Sequence, residues 1–275
     1  MQTVGEGPLS KMTATLADPI EYRLSLGDQN VSMNALIGSQ IKLEYLGLIS
    51  CSHCGRKTKK SFSQGHCYPC FQKLARCDSC IVKPEKCHFD AGTCREPDWA
   101  ERNCMQEHVV YLANSSGLKV GITRHNQIPT RWIDQGAVQA LPIIRVRTRQ
   151  QSGFVEILLA ETVADKTNWR AMLKGENAPL DLAAEAAQVI ERYRARLDDL
   201  RIRFGDEAIE FIEDAQPVEL RYPVAEYPEK VSSHNLDKTP EVGGRLMGIK
   251  GQYLILDTGV LNVRTFSAYH VRLSA

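Results

Sequence analysis

The sequence predicts an α+β protein built of several units, with antiparallel β segments at both ends of the chain. Three observations predict it. Apolar residues alternate in short runs near both termini, all nine cysteines fall between residues 51 and 104, and a strand–turn–strand pattern followed by helical spacing occupies the middle. At 275 residues the chain has room for more than one core. With 43% hydrophobic and 24% charged residues the composition is that of an ordinary globular protein, and the formal charge is +1. A surface for a polyanion must therefore come from local clustering of charge rather than from the sum. No apolar run approaches the length of a membrane helix, and residues 1–11 lack the apolar centre of a secretory signal. A cytoplasmic protein without a membrane partner is the expectation.

Residues 1–50 form the first unit. Met12, Ala14 and Leu16, then Tyr22, Leu24 and Leu26, then Ile41, Leu43 and Tyr45 alternate with polar neighbours, and Gly27-Asp28 and Gly38 punctuate them. This predicts a short antiparallel meander. Residues 51–108 hold the cysteines. Residues 109–176 predict an α/β unit with strands near 109–113, 118–123 and 142–147, and helices near 128–135 and 153–163. In residues 177–215, Leu182, Ala186, Val189, Ile190, Tyr193, Leu197 and Leu200 recur at helical spacing with charge opposite, giving an amphipathic helix. A shorter helix is expected over 206–214. Pro217, Pro223 and Pro228 then mark extended chain. Residues 216–275 return to strands near 246–249, 253–256, 260–263 and 271–273, with Asp257-Thr258-Gly259 as a tight turn. Small β modules of this kind suit nucleic-acid or protein binding, and equally a lid or a dimer-forming sheet.

The cysteine spacing carries the firmest chemistry. Cys51-Ser-His-Cys54 and Cys67-Tyr-Pro-Cys70 are two CxxC knuckles with the spacing of a zinc ribbon. Two facing knuckles give a tetrahedral S4 site, which is coordinatively closed and therefore structural. A redox CxxC needs one pair, not two. Cys77 and Cys80 form another knuckle, which Cys87 and Cys94 are expected to complete as a second zinc site, with His88, Cys104 and His108 as competing ligands. One or two of these thiols equally suit a buried free cysteine. Residues 51–86 carry eight Lys or Arg against two acidic residues. Arg56, Lys57, Lys59 and Lys60 sit in the finger loop with Phe62, Tyr68 and Phe71 nearby, a pattern suited to phosphate contact and base stacking or, more plainly, to a solvated loop.

In the middle unit Val109-Val110-Tyr111-Leu112 is followed by the turn Ser115-Ser116-Gly117 and by Lys119-Val120-Gly121-Ile122-Thr123; Arg131 comes ten residues after Gly121, and Glu156-Ile-Leu-Leu-Ala-Glu161 lies further on. This segment resembles the GIY-YIG nuclease family, in particular its divergent members with a "VY…KVGIT" reading. The chain as a whole, ribbon included, resembles an uncharacterised bacterial family known as a domain of unknown function. The nuclease resemblance covers about 109–175 and implies a metal-dependent endonuclease acting on DNA or RNA. It implies that Glu156 holds a divalent cation such as Mg2+ and that Arg131 clamps phosphate oxygens. Tyr111 corresponds to the tyrosine that activates or orients water, assisted by Lys119, which stands where a second tyrosine is usual. Asn168 corresponds in position to an asparagine packed under the family's site. The sequence departs from the pattern at Val109, at Lys119 and after Arg131, where Trp132-Ile133-Asp134-Gln135 lacks the usual histidine or tyrosine. Tyr111 equally suits a core strand position with a capped hydroxyl, and Trp132 suits either the core or stacking on a base.

The expected cofactors are thus one or two structural Zn2+ ions and a catalytic Mg2+, and the expected partner is DNA or RNA. The alternatives are a non-catalytic nucleic-acid-binding zinc-ribbon protein and a protein-binding scaffold.

Overall fold

Strand pairing joins the two ends of the chain. In the computed structural model, which describes residues 1–175 and 177–275, Gln40–Ser50 lies between Tyr269–Ser274 and Glu241–Lys250, antiparallel to both. Thr3–Pro8 continues the sheet beyond Tyr269–Ser274, and Tyr253–Leu256 and Gly259–Asn262 continue it on the other side. The short strand Lys57–Thr58 also pairs with Gln40–Ser50. Thr13–Thr15, Glu21–Leu26 and Gln29–Ser32 form a separate three-stranded sheet. The first and last segments, expected as distinct units, therefore share one sheet. Their period-2 apolar sets meet in one core: Ile41 and Leu43 pack with Val242, Leu246, Val271 and Leu273, all fully or nearly buried.

The middle of the chain is a second sheet, ordered Ile209–Phe211, Gln139–Val146, His108–Asn114, Leu118–Arg124, with Val218–Glu219 also on Gln139–Val146. All its pairings are antiparallel, so the expected α/β unit has no parallel pairing among its named strands. Every residue of His108–Asn114 is buried because both its faces are covered. Val110 and Leu112 pack under the helices Arg149–Leu159 and Leu182–Phe204, through Val155, Leu159, Val189 and Leu197. Tyr111 and Ala113 face the other way and join Trp132, Ile133 and the core of the terminal sheet.

Local chemistry sets the helix limits. Thr148 and Gln151 make a capping box that starts Arg149–Leu159 four residues earlier than the apolar pattern suggested. Asp181 caps Leu182–Phe204 by accepting from the Ala184 amide at 3.0 Å. The helix expected over 206–214 is instead a 3-10 turn, Asp206–Ala208, leading into the strand Ile209–Phe211. The open edge of Gln139–Val146 takes Ile209 opposite Val146 and Phe211 opposite Ile144, and that pairing overrides a weak local helical preference.

The cysteine region has little regular structure. It comprises two short helices, Tyr68–Lys73 and Pro97–Asn103, and 3-10 turns at Ala75–Cys77, Ser79–Ile81 and Pro84–Lys86. It packs against Arg149–Leu159 at Gly153, where a Cβ would lie 2.7 Å from the Glu85 amide nitrogen. Among the described residues no helix is long and apolar enough to cross a membrane.

Candidate functional site

A cleft of about 630 Å³ opens where the three units meet. The cysteine region contributes Ser63, Gln64, Arg76, Ile81, Val82 and Pro84; the middle unit contributes Ile122, Thr123, Arg124, Gln127, Arg131, Asp134, Arg149, Glu156 and Asp165; the terminal sheet region contributes Lys11 and Arg264. Among the described residues, six cations and three carboxylates thus line the cleft. Its positive excess exceeds the formal +1 of the whole chain, so charge is concentrated here.

Three separate elements bring the central side chains together. Arg131 projects from the one-turn helix Thr130–Asp134 and is exposed. The helix is anchored by Asp134, whose carboxylate takes Lys11 Nζ at 2.8 Å and Gln252 Nε2 at 2.9 Å. Lys119 comes from the strand Leu118–Arg124, is 7% exposed, and directs Nζ to Thr167 Oγ1 at 3.4 Å. Burial, then the Arg131 charge, lowers its pKa to about 8, against the opposing pull of Glu156 and Asp165. Glu156 sits on the helix Arg149–Leu159. Burial pushes its pKa above the ordinary carboxylate value, while Lys119, Arg131 and Arg149 draw it back down. Glu156 is therefore a shielded carboxylate with three cations inside its electrostatic field.

Tyr111 lies beneath this group rather than in the cleft. It is fully buried, its hydroxyl accepts from Gln135 Nε2 at 2.8 Å, and its ring meets Trp132 edge-on at 6.0 Å between centroids. Burial raises the phenol pKa, with Arg131 and Gln135 only opposing the shift. The structure thus disfavours Tyr111 as a base that touches water, and the capped core position is what it occupies. Gly121 makes room for it: a Cβ there would stand 2.6 Å from the Tyr111 hydroxyl. Trp132, expected as a stacking residue, is 2% exposed, and a base cannot reach its indole face. Asn168 caps the helix Trp169–Lys174 by accepting from the Ala171 amide at 3.2 Å and does not line the cleft. Glu161 is paired with Arg196 at 2.6 Å, away from the cleft.

Sequence reasoning did not single out Arg149, Asp165, Lys11 or Arg264. Arg149 had a signal, since it precedes Glu156 by two helical turns on one face. Lys11 and Arg264 reach the cleft only through long-range pairing and carry no local one.

The first cysteine cluster is compact. The sulfurs of Cys51, Cys54, Cys67 and Cys70 all lie within 4.8 Å of one another, and those of Cys54 and Cys67 are 3.7 Å apart. The first knuckle closes through Gly55 N–H to Cys51 O at 2.9 Å, with Gly55 at φ 70°, directly after the strand Gln40–Ser50. Cys67 precedes the helix Tyr68–Lys73, where Phe71 N–H returns to Cys67 O at 2.9 Å. Burial opposes ionisation of Cys51, but amide donors from Cys54, Cys67 and His53 outweigh it and lower the pKa to about 6. Burial and the neighbouring sulfurs push Cys70 to about 12. Four such thiols cannot all ionise without a cation between them, and the donor set is compatible with a structural zinc ion. Arg56, Lys57, Lys59 and Lys60 are exposed on the adjoining loop, which runs on into Ser63 and Gln64 at the cleft.

The Cys77–Cys80 knuckle does not close as the spacing suggested. Asp78 is extended, at φ −70° and ψ 157°, and separates the turns Ala75–Cys77 and Ser79–Ile81. Cys77 is buried toward Ser63 and the first cluster, whereas Cys80 faces Cys87 and Cys94. Cys77 is therefore corrected out of the second set.

The model of the family described as "Protein of unknown function (DUF2797)" matches residues 38–271. The chain belongs to this family. The matched span of DUF2797 begins just before Gln40–Ser50 and ends within Tyr269–Ser274, two strands paired with one another, and it encloses the cysteine region, the cleft helix and the middle sheet. No curated protein and no solved structure matches the chain.

Proposed function

We propose that the cleft binds a nucleic-acid phosphodiester and hydrolyses it with the help of a divalent cation. The observation that carries this reading is that Arg131 and Glu156, from two different elements, line one open cleft with excess positive charge, with the buried Lys119 inside their electrostatic field. Arg131 is the exposed guanidinium and suits two-point contact with a phosphate. Glu156 and Asp165 lie within electrostatic reach of each other and offer hard oxygens. A Mg2+ ion commonly uses one or two carboxylates and keeps several waters, so this pair fits it, although Lys119, Arg131 and Arg149 compete for the same carboxylate. When bound, such an ion supplies charge neutralisation at the phosphate. Lys119, buried behind the cleft lining with its pKa lowered to about 8, exchanges a proton with the attacking water through a water relay rather than by contact in this reading. Tyr111 supports Arg131 from below. The Cys51, Cys54, Cys67 and Cys70 site takes zinc in this reading and holds the basic loop beside the cleft.

The test is cleavage of branched, nicked and single-stranded DNA and RNA by the full chain with Mg2+ or Mn2+. Glu156→Gln and Arg131→Ala are expected to lower the rate by about 100-fold or more. Absence of cleavage in the wild type, or its survival in both variants, sinks the hydrolytic reading. The burial of Tyr111 and the cations around Glu156 favour one other outcome, nucleic-acid binding without turnover. That reading expects salt-dependent binding retained in Glu156→Gln.

A further inference from the structure

Four cysteines outside the first cluster converge from distant points of the cysteine region. Cys80, Cys87, Cys94 and Cys104 line one small void of about 10 Å³, together with Asp78, His88 and apolar groups such as Ile81, Trp99 and Ala100. Cys104, 6% exposed, lies within electrostatic reach of the other three, and Cys80 lies within reach of Cys87 and Cys94. A void of that size holds one water-sized particle. Four thiols lining one small void offer the donor set of a thiophilic divalent ion, with their sulfurs set wider apart than those of the first cluster.

The nearby non-cysteine donors are already committed. Asp78 Oδ2 takes Arg95 Nε at 2.7 Å, and its Oδ1 takes the Ser79 amide at 2.6 Å. His88 Nδ1 pairs with Thr93 Oγ1 at 2.8 Å and its Nε2 faces Asp78. Although Asp78, Cys80 and His88 stand close enough to share an ion, the first and last are better satisfied as they are. His108 does not line the void.

The surroundings suit a negative cluster. The Arg149 guanidinium lies within the field of both Cys104 and Cys80, and its buried Nε has no hydrogen-bond partner among the described residues. An unpaired buried donor of that kind is costly unless an acceptor is present, and metal-bound thiolates accept N–H bonds. The start of the helix Arg149–Leu159 also points here: the Arg149 amide donates to Cys104 O at 2.8 Å, Arg149 Nη2 to Ile81 O at 2.7 Å, and Gln150 Nε2 to Cys87 O at 3.0 Å. The start of this helix is thus tied to the backbone of Ile81, Cys87 and Cys104, with its positive dipole end beside the segments that carry the thiols.

We propose that Cys80, Cys87, Cys94 and Cys104 bind a second zinc-class ion that fastens the cysteine region to the helix carrying Glu156. Binding is a proton exchange without redox change: four thiols release four protons, four sulfur–metal bonds form, and the site carries a net charge of −2 that Arg149 offsets. The ion fixes the wall of the cleft formed by Ile81, Val82 and Pro84 against Glu156. It stands whether or not the cleft is hydrolytic.

Native mass spectrometry of the zinc-loaded full chain tests it. Two zinc ions per chain are expected for the wild type, for Cys77→Ser and for His88→Ala, and one for Cys80→Ser and Cys104→Ser. A single zinc in the wild type, two in Cys104→Ser, or a loss in Cys77→Ser or His88→Ala overturns the assignment. If the serine variants do not fold, alkylation of the wild type decides. Cys80, Cys87, Cys94 and Cys104 are expected to become reactive together as a chelator is titrated. Labelling of any one of the four before chelation, or labelling of the four at unrelated chelator levels, counts against a shared ion.

Discussion

Lys119 is where the cleft chemistry and its energetics meet in one side chain. Its folded pKa of about 8 lies well below the ordinary lysine value of about 10.4. Between those two values the unfolded chain binds more protons than the folded one, so stability rises with pH across that window. Lys250, fully buried over the Tyr222 and Tyr227 rings and also lowered by burial to about 8, contributes a second such group. Denaturant unfolding from pH 8 to 10 should therefore show a positive slope that flattens in Lys119→Met and flattens further when Lys250→Met is added. An unchanged slope refutes the lowered lysines. For cleavage, the rate is expected to rise as pH passes about 8, and Lys119→Arg, which stays charged, should remove that rise. A second residue-scale expectation concerns Gly121 and Tyr111. Gly121→Ala is expected to cost about 1–3 kcal/mol by overpacking the phenol. Tyr111→Phe removes the hydroxyl that the new methyl would meet, so the double variant should lose less than the sum of the singles in urea titrations. At this scale the hairpin-and-helix pattern singled out Arg131 and Glu156, and both line the cleft. The role of Tyr111 was not, because alternation says which residues share a face and not which face lies against a second core.

At the scale of elements, the sequence was most readable where one local force dominates. The helix Leu182–Phe204 followed from its apolar stripe, and the first CxxC pair from thiolate spacing. It was least readable where two local signals are equal or a partner element decides. Ile209–Phe211 became a strand because an edge was open to it, and Cys77 left its expected partners because one extended residue, Asp78, separates it from Cys80. The same reasoning sets an expectation for Asn168, which the nuclease resemblance placed in the site but which caps Trp169–Lys174. Asn168→Ala should cost about 1 kcal/mol, read as a lowered urea midpoint, while leaving nucleic-acid cleavage and binding within about twofold. A large fall in activity at unchanged stability would return Asn168 to the site.

The whole molecule is organised by contacts that no local window of sequence contains. Gln40–Ser50 pairs with Tyr269–Ser274, more than two hundred residues away at the other end of the chain, so that Lys11 and Arg264 come to the rim of a cleft whose floor belongs to the middle unit. Lys11, Arg76 and Arg131 then represent the three units at one surface. A ligand confined to the middle unit would meet Arg131 but neither Lys11 nor Arg76, whereas a strand laid across the junction would release counterions at all three. For a nucleic acid, the logarithm of the binding constant falls with the logarithm of salt concentration in proportion to the number of phosphates neutralised. Lys11→Ala, Arg76→Ala and Arg131→Ala are each expected to reduce that slope by about one, and the triple variant by about three. The measurement is fluorescence anisotropy of a labelled single strand across a salt series, with each variant's fold checked by circular dichroism. Should Arg131→Ala alone change the slope, the ligand does not cross the junction. Should none change it, the positive excess serves something other than a phosphate chain. Equal and additive effects would make the junction itself, rather than any one unit, the binding surface.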